Sequence, residues 1–239
     1  MKSLYIIKAG STFDSEAERL GDFENWVERG LGDLPCPVMV VNAEGGEALP
    51  DPKLCAGAVV TGSHAMVTDN LPWSVAIERW IIELIAGRVP FLGICYGHQL
   101  LGRAAGGEVG YHPRGREVGT VSVELMPEGV RDALFDGIPA RFAAHVTHAQ
   151  SVLRLPPESV HLAFNDFEPH HAFRVGESAW GVQFHPEYTR EIMQAYAQDE
   201  IADLEAAGED AGALRDAVLE APHAGRVLTN FSGIVARRL

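Results

Sequence analysis

Apolar residues recur along this chain in two rhythms. Leu4 to Lys8 is a short apolar run that reads as a buried strand, and Ser15 to Arg29 carries helical spacing through Ala17, Leu20, Phe23, Trp26 and Val27. Pro37 to Val41 and Ala56 to Thr61 read as a second and a third strand. Trp73 to Ala86 is an amphipathic helix, with Val75, Ile77, Ile81, Ile82 and Ile85 at three- and four-residue steps, and Gly87 is expected to stop it. Val89 to Ile94 is apolar throughout, which suits a parallel strand covered on both faces. Gln99 to Ala105 reads as a helix closed by Gly106-Gly107.

Strand and helix thus alternate through the first half, the pattern of a doubly wound parallel sheet with helices on both faces. The second half differs. Thr120 to Leu125 alternates, short strand-like pieces follow around Val152, His161, Ala172 and Trp180, and helical periodicity returns from Arg190 to Leu219. No repeat, low-complexity tract or linker interrupts the chain. The expectation is one domain over 1–239, with a catalytic core at 1–189 and a helical C-terminal extension at 190–239.

Composition narrows the function. Lys and Arg number 19 against 33 Asp and Glu, a formal charge of −14, and such a surface repels phosphate backbones, so nucleic acid is not an expected partner. No apolar run is long enough to span a bilayer. Leu4-Tyr5-Ile6-Ile7 is too short for the core of a signal peptide, so Met1 is expected to begin the mature protein, in the cytoplasm. Cys36, Cys55 and Cys95 are an odd number without a CxxC pair, which argues against a disulfide framework and a zinc site.

Cys95 stands out among the three. Gly93-Ile94-Cys95-Tyr96-Gly97 joins a buried strand to a helix in the form of a nucleophile elbow, with a small residue on each side of the turn. The nucleophile then stands at the carboxyl ends of the strands, where open α/β sheets bind ligands. The helix N-terminus favours thiolate over thiol, and its backbone amides, beginning with Tyr96, can hold a developing oxyanion. The competing reading, a buried structural cysteine, is the one adopted for Cys36 and Cys55.

A thiol nucleophile needs a base, and the base an orienting group. Trp180 to Glu187 offers both: a short apolar strand delivers His185, Pro186 stiffens the turn, and Glu187 follows close enough to turn back on the imidazole. Together, Gly93-Ile94-Cys95-Tyr96-Gly97-His98-Gln99-Leu100-Leu101 and Gly181-Val182-Gln183-Phe184-His185-Pro186-Glu187 resemble the class I glutamine amidotransferases. The likeness is nearest to the amidotransferase domain of GMP synthase and its free-standing relatives, and it runs from Leu4 to about Glu187.

The resemblance implies a flavodoxin-like fold, Cys95 as nucleophile, His185 as base and Glu187 as third member of a triad. Thr61-Gly62-Ser63-His64 stands where the family usually has Gly-Gly-Pro, so Gly62 and Ser63, with Tyr96, are the expected oxyanion donors. Ser63 replaces a glycine, and a positive φ there would strain it. Val146-Thr147-His148-Ala149 resembles the family's loop that grips the α-amino and α-carboxylate groups of glutamine, which implicates Thr147 and His148. Gln99 either contacts substrate or caps the elbow helix. Arg116-Glu117-Val118-Gly119 resembles a further family segment of underived role.

The implied reaction is release of ammonia from glutamine through a γ-glutamyl thioester, with no metal or cofactor. No GxxxxGK[ST] loop appears, and the chain ends where GMP synthase would continue, so the expected partner is a separate synthetase or acceptor enzyme. The alternatives are a γ-glutamyl peptidase with the same triad and, in another class, a non-catalytic regulatory subunit.

Overall fold

The computed structural model describes residues 2–199 and 211–239. A nine-stranded sheet forms the centre, built from β1 (Ser3–Lys8), β2 (Val38–Asn42), β3 (Cys55–Val60), β4 (Phe91–Ile94), β6 (Glu117–Leu125), β7 (Arg141–His148), β9 (Val160–Phe164), β10 (Ala172–Val175) and β11 (Ala179–Val182). Its spatial order is β2-β1-β3-β4-β11-β10-β9-β6-β7. The strands from β2 to β11 in that order run parallel, and the remainder is antiparallel. A separate ribbon pairs β5 (Glu108–Tyr111) with β8 (Gln150–Arg154).

The helices are α1 (Asp14–Leu20), α2 (Phe23–Leu31), α3 (Pro72–Ala86), α4 (Tyr96–Ala104), α5 (Pro127–Val130), α6 (Arg190–Asp199), α7 (Ala211–Asp216) and α8 (Pro222–Ala236). Alternate strand residues face opposite sides, which divides the core in two. On one face Leu4, Ile6, Val59 and Leu92 pack with Val27 and Leu31 of α2 and with Leu228, Phe231 and Val235 of α8. On the other, Ile7, Ala58, Val60 and Phe91 pack with Ile77, Ile81 and Leu84 of α3 and Leu100 and Leu101 of α4. Every residue of β3, β4 and β11 is buried, as the unbroken apolar character of the Val89–Ile94 segment anticipated.

Some expected boundaries move. The helix expected over Ser15–Arg29 is two helices, because Gly21 turns at φ 87 and Asp22 then caps α2, accepting from the Phe23 N–H at 2.7 Å. Gly87 stops α3 in a right-handed conformation, and the left-handed residue is Arg88, at φ 53. Val146–His148 lies on β7, the long partner of β6, and not in a loop. The expected helical stretch from Arg190 to Leu219 contains α6 and α7, and its part at 200–210 lies outside the described residues. The C-terminal segment is helical as expected, and α8 packs against one face of the sheet. Among the described residues no helix is long and apolar enough to cross a membrane.

Candidate active site

Three adjacent parallel strands bring the expected chemistry together. β3, β4 and β11 point their carboxyl ends the same way, so Gly62-Ser63, Cys95 and the segment leading to His185 emerge side by side. Cys95 takes φ 47 and ψ −94, a conformation that L-residues rarely adopt and that the surrounding packing must hold. The glycines on either side are what permits it. A Cβ on Gly93 would lie 2.3 Å from the Gly97 carbonyl oxygen, and one on Gly97 would lie 2.5 Å from that of Val60. Ser63 carries no such strain. The non-glycine residues at positive φ, among those described, are Asn70, Arg88, Cys95 and Glu158, so the backbone strain anticipated at the oxyanion loop sits at the nucleophile instead.

α4 begins at Tyr96, directly after the cysteine and three residues earlier than its apolar spacing suggested. Its first internal bond runs from the Gln99 N–H to the Cys95 carbonyl at 3.1 Å, so the Tyr96, Gly97 and His98 amides stand ahead of the helix's own ladder. The Tyr96 ring turns away from the thiol: its hydroxyl donates to Ser74 Oγ at 2.7 Å, and burial pushes it up to about 12.

Opposite the thiol, His185 is held by backbone and side chain alike. Its N–H donates to the His145 carbonyl at 2.8 Å, and its Nδ1 meets Glu187 Oε1 at 2.7 Å, both side chains being almost wholly buried. Burial alone would drive a proton off the imidazole. The Glu187 carboxylate and the Cys95 sulphur outweigh that effect and raise His185 to about 10. Gly62 packs on the same ring, where an added Cβ would stand 3.0 Å from His185 Cε1.

A cavity of about 370 Å³ opens over these groups, lined among others by Ser63, Cys95, Tyr96, Gln99, Thr147, His148 and His185. All the expected site residues except Glu187 and Gly62 therefore share one cavity, with those two just behind the imidazole. The Thr147 carbonyl oxygen lies 3.9 Å from Cys95 Sγ. His148 turns both ring nitrogens toward protein acceptors, Nε2 to Glu117 Oε2 at 3.1 Å and Nδ1 to the Gln150 carbonyl at 3.2 Å. What it presents to the cavity is therefore its ring and not a free nitrogen. Glu117 also accepts from Asn165 Nδ2 at 2.7 Å, which gives the Arg116–Gly119 segment a role the sequence left unassigned: it orients His148, while Arg116 lines the cavity.

Residues 20–203 match the family model of the class I glutamine amidotransferases. The chain belongs to that family. It is 34% identical over 182 residues to a glutamine-hydrolysing GMP synthase of Aeropyrum pernix, an alignment covering 72% of this chain and 33% of that protein. It is 33% identical over 139 residues to γ-glutamyl peptidase 5 of Arabidopsis thaliana, covering 57% and 55% respectively. The chain thus spans about a third of the one and half of the other. A glutamine amidotransferase structure from Thermotoga maritima superposes with a TM-score of 0.77 at 20% identity over 99% of both chains, which shows the shared fold.

Other residues around the site had no role assigned from the sequence. Tyr188, which follows the His185–Glu187 segment, stacks on the imidazole. His64 meets the Tyr196 hydroxyl at 3.2 Å, and Gln183 reaches the thiol. Their roles depend on which way the side chains point, which no local pattern encodes.

Proposed function

We propose that this amidotransferase domain hydrolyses the side-chain amide of glutamine through a γ-glutamyl thioester on Cys95 and supplies the ammonia to a separate acceptor enzyme. The observation that carries the reading is the strained Cys95 facing an imidazole that Glu187 holds at 2.7 Å and keeps protonated. A charged imidazole beside the sulphur provides the proton donor from the outset, and a neighbouring positive charge favours the nucleophilic form of a thiol.

Cys95 Sγ attacks the amide carbon, and the oxyanion is received by the backbone amides of Tyr96 and Ser63, with Gly62 shaping the turn beneath them. His185 passes its proton to the departing ammonia, leaving the thioester. The neutral imidazole then takes a proton from water, which adds to the thioester carbonyl and releases glutamate and the thiolate. Glu187 keeps the imidazole oriented and balances its charge. Gln99, Thr147 and His148 line the part of the cavity assigned to the amino-acid end of the substrate, His148 through the ring it presents there. Residues 1–189 form the catalytic core of one domain, and the remaining helices brace it.

A second reading is hydrolysis of a γ-glutamyl peptide, in which His185 protonates an amine larger than ammonia. It is supported by the likeness to the Arabidopsis γ-glutamyl peptidase and by a cavity of about 370 Å³, within the size range of small-molecule sites. Steady-state assays of the purified protein with glutamine and with γ-glutamyl dipeptides, following ammonia and glutamate together, decide between them. Slow turnover of glutamine alone is expected, rising when an acceptor enzyme is added. A clear preference for a dipeptide promotes the second reading, and inertness toward both sinks the enzyme.

A further inference from the structure

Three buried side-chain amides run behind the nucleophile. Gln183 is fully buried and its Nε2 lies 3.4 Å from Cys95 Sγ. Its Oε1 accepts from Gln99 Nε2 at 3.2 Å, and that same nitrogen donates to the Gln150 carbonyl at 2.8 Å. Gln150 in turn sends its own Nε2 to the Thr68 hydroxyl at 2.7 Å. Thr68 belongs to the short 3-10 turn Val67–Asp69, which directly follows the cavity-lining residues Ser63 to Met66.

The donors can be assigned from the partners alone. A backbone carbonyl only accepts, so the Gln99 group facing Gln150 must be its NH₂. The second hydrogen of that NH₂ then meets Gln183, which must answer with its carbonyl oxygen. The Gln183 NH₂ is left facing the sulphur. An N–H aimed at sulphur is worth most when the sulphur is an anion, because a neutral thiol is a weak acceptor.

We propose that Gln183, Gln99, Gln150 and Thr68 form a relay that steadies the Cys95 thiolate and ties it to the Val67–Asp69 turn and the start of β8, both at the border of the cavity. Gln183 is the catalytic contact, touching the reacting atom. Gln99, Gln150 and Thr68 are positioning residues that set its orientation. Once the thioester forms, the sulphur loses its charge and the contact weakens, so the stabilisation acts on the nucleophile before attack. A ligand or partner that shifts the Thr68 turn or the start of β8 thereby alters the sulphur without touching it.

The inference rests on Cys95 as nucleophile, and the test reads that sulphur directly. Alkylation of the full chain by iodoacetamide is followed across pH for the wild type, Gln183→Met, Gln183→Glu, Thr68→Val and Thr68→Val/Gln183→Met, with melting curves as a fold control. Both Gln183 variants are expected to alkylate about tenfold more slowly at neutral pH, the loss expected for one hydrogen bond to a charged group. Their profiles should shift to higher pH, and kcat for glutamine should fall with KM nearly unchanged. Thr68→Val is expected to slow alkylation about threefold in the wild type and not at all in Gln183→Met, the non-additivity of a shared network. Folded Gln183 variants that alkylate like the wild type overturn the relay, as does an equal Thr68→Val effect in both backgrounds. Wild-type Cys95 reacting no faster than Cys36 and Cys55 would instead sink the nucleophile reading itself.

Discussion

The ring of Tyr188 lies flat on the imidazole of His185, with centroids 4.1 Å apart and planes inclined by 20°. Glu187 fixes the edge of the imidazole and Tyr188 its face, so two consecutive residues after Pro186 determine where the proton donor points. Tyr188 is itself wedged against Trp26, edge-on at 5.5 Å, and against Tyr196 at 5.1 Å. Tyr188→Leu is expected to lower kcat by about tenfold with little change in KM, since a misplaced general acid costs rate more than binding. Tyr188→Phe keeps the stack and should retain most activity. Equal kinetics for wild type and Tyr188→Leu would show that the stack is mere packing.

Cys95→Ala should abolish hydrolysis and leave the melting temperature close to that of the wild type, because the residue supplies a nucleophile and little core volume. A glutamine-mimicking electrophile should label Cys95. An adduct mapped to Cys36 or Cys55, with activity lost, points the chemistry elsewhere. Burial raises the Cys55 thiol to about 11, which makes it a poor competitor.

His185→Ala should be nearly as damaging as Cys95→Ala, whereas Glu187→Gln should retain more activity and change the pH profile. The Glu187 carboxylate raises His185, so without it the proton leaves at lower pH. The alkaline limb of kcat/KM is therefore expected to move toward neutrality in Glu187→Gln. A limb that stays in place contradicts the charge balance assigned to this pair.

Acid should destabilise the fold through buried histidines outside the proposed triad. Burial lowers His98 to about 3 and His145 to about 4, and holds His171 well below its ordinary value of 6.5. Between pH 6.5 and about 4 the unfolded chain binds protons that the folded one refuses, so stability is intact above pH 6.5 and falls as acid is added. The loss should be on the order of 1 kcal/mol per pH unit for each such histidine. His185 has the opposite sign: its contribution is complete below pH 6.5 and is lost only as pH rises toward 10. Melting temperatures from pH 7.5 to pH 4.5 check this, and a flat curve refutes it.

Gly93→Ala should destabilise or misfold the protein, by roughly 3 kcal/mol or more, because the new methyl meets backbone that cannot rotate away. Thermal unfolding measures it. A near-native melting temperature would mean that the elbow can open, and that the strain at Cys95 does not depend on the glycine.

Much of this molecule is legible in its residues because the signals are local. Apolar runs and helical spacing mark the parallel half of the sheet and α3, since alternation and the 3.6-residue period follow directly from backbone geometry. The glycines around Cys95 and the His185-Pro186-Glu187 segment mark the chemistry, because a tight turn and a short-range contact are written in neighbouring positions. β5 and β7 were not anticipated: their strand character comes from pairing with β8 and β6, distant partners that no local window contains. The direction of side chains was likewise decided only by packing. His148 commits both nitrogens to Glu117 and Gln150, and Gln183 aims at sulphur because Gln99 is already engaged with a backbone carbonyl. Sequence determined which groups are present and the order in which the strands deliver them. Tertiary structure alone decided which atoms meet, because hydrogen-bond partners 31 to 84 residues apart are selected by the burial of every competing donor and acceptor around them.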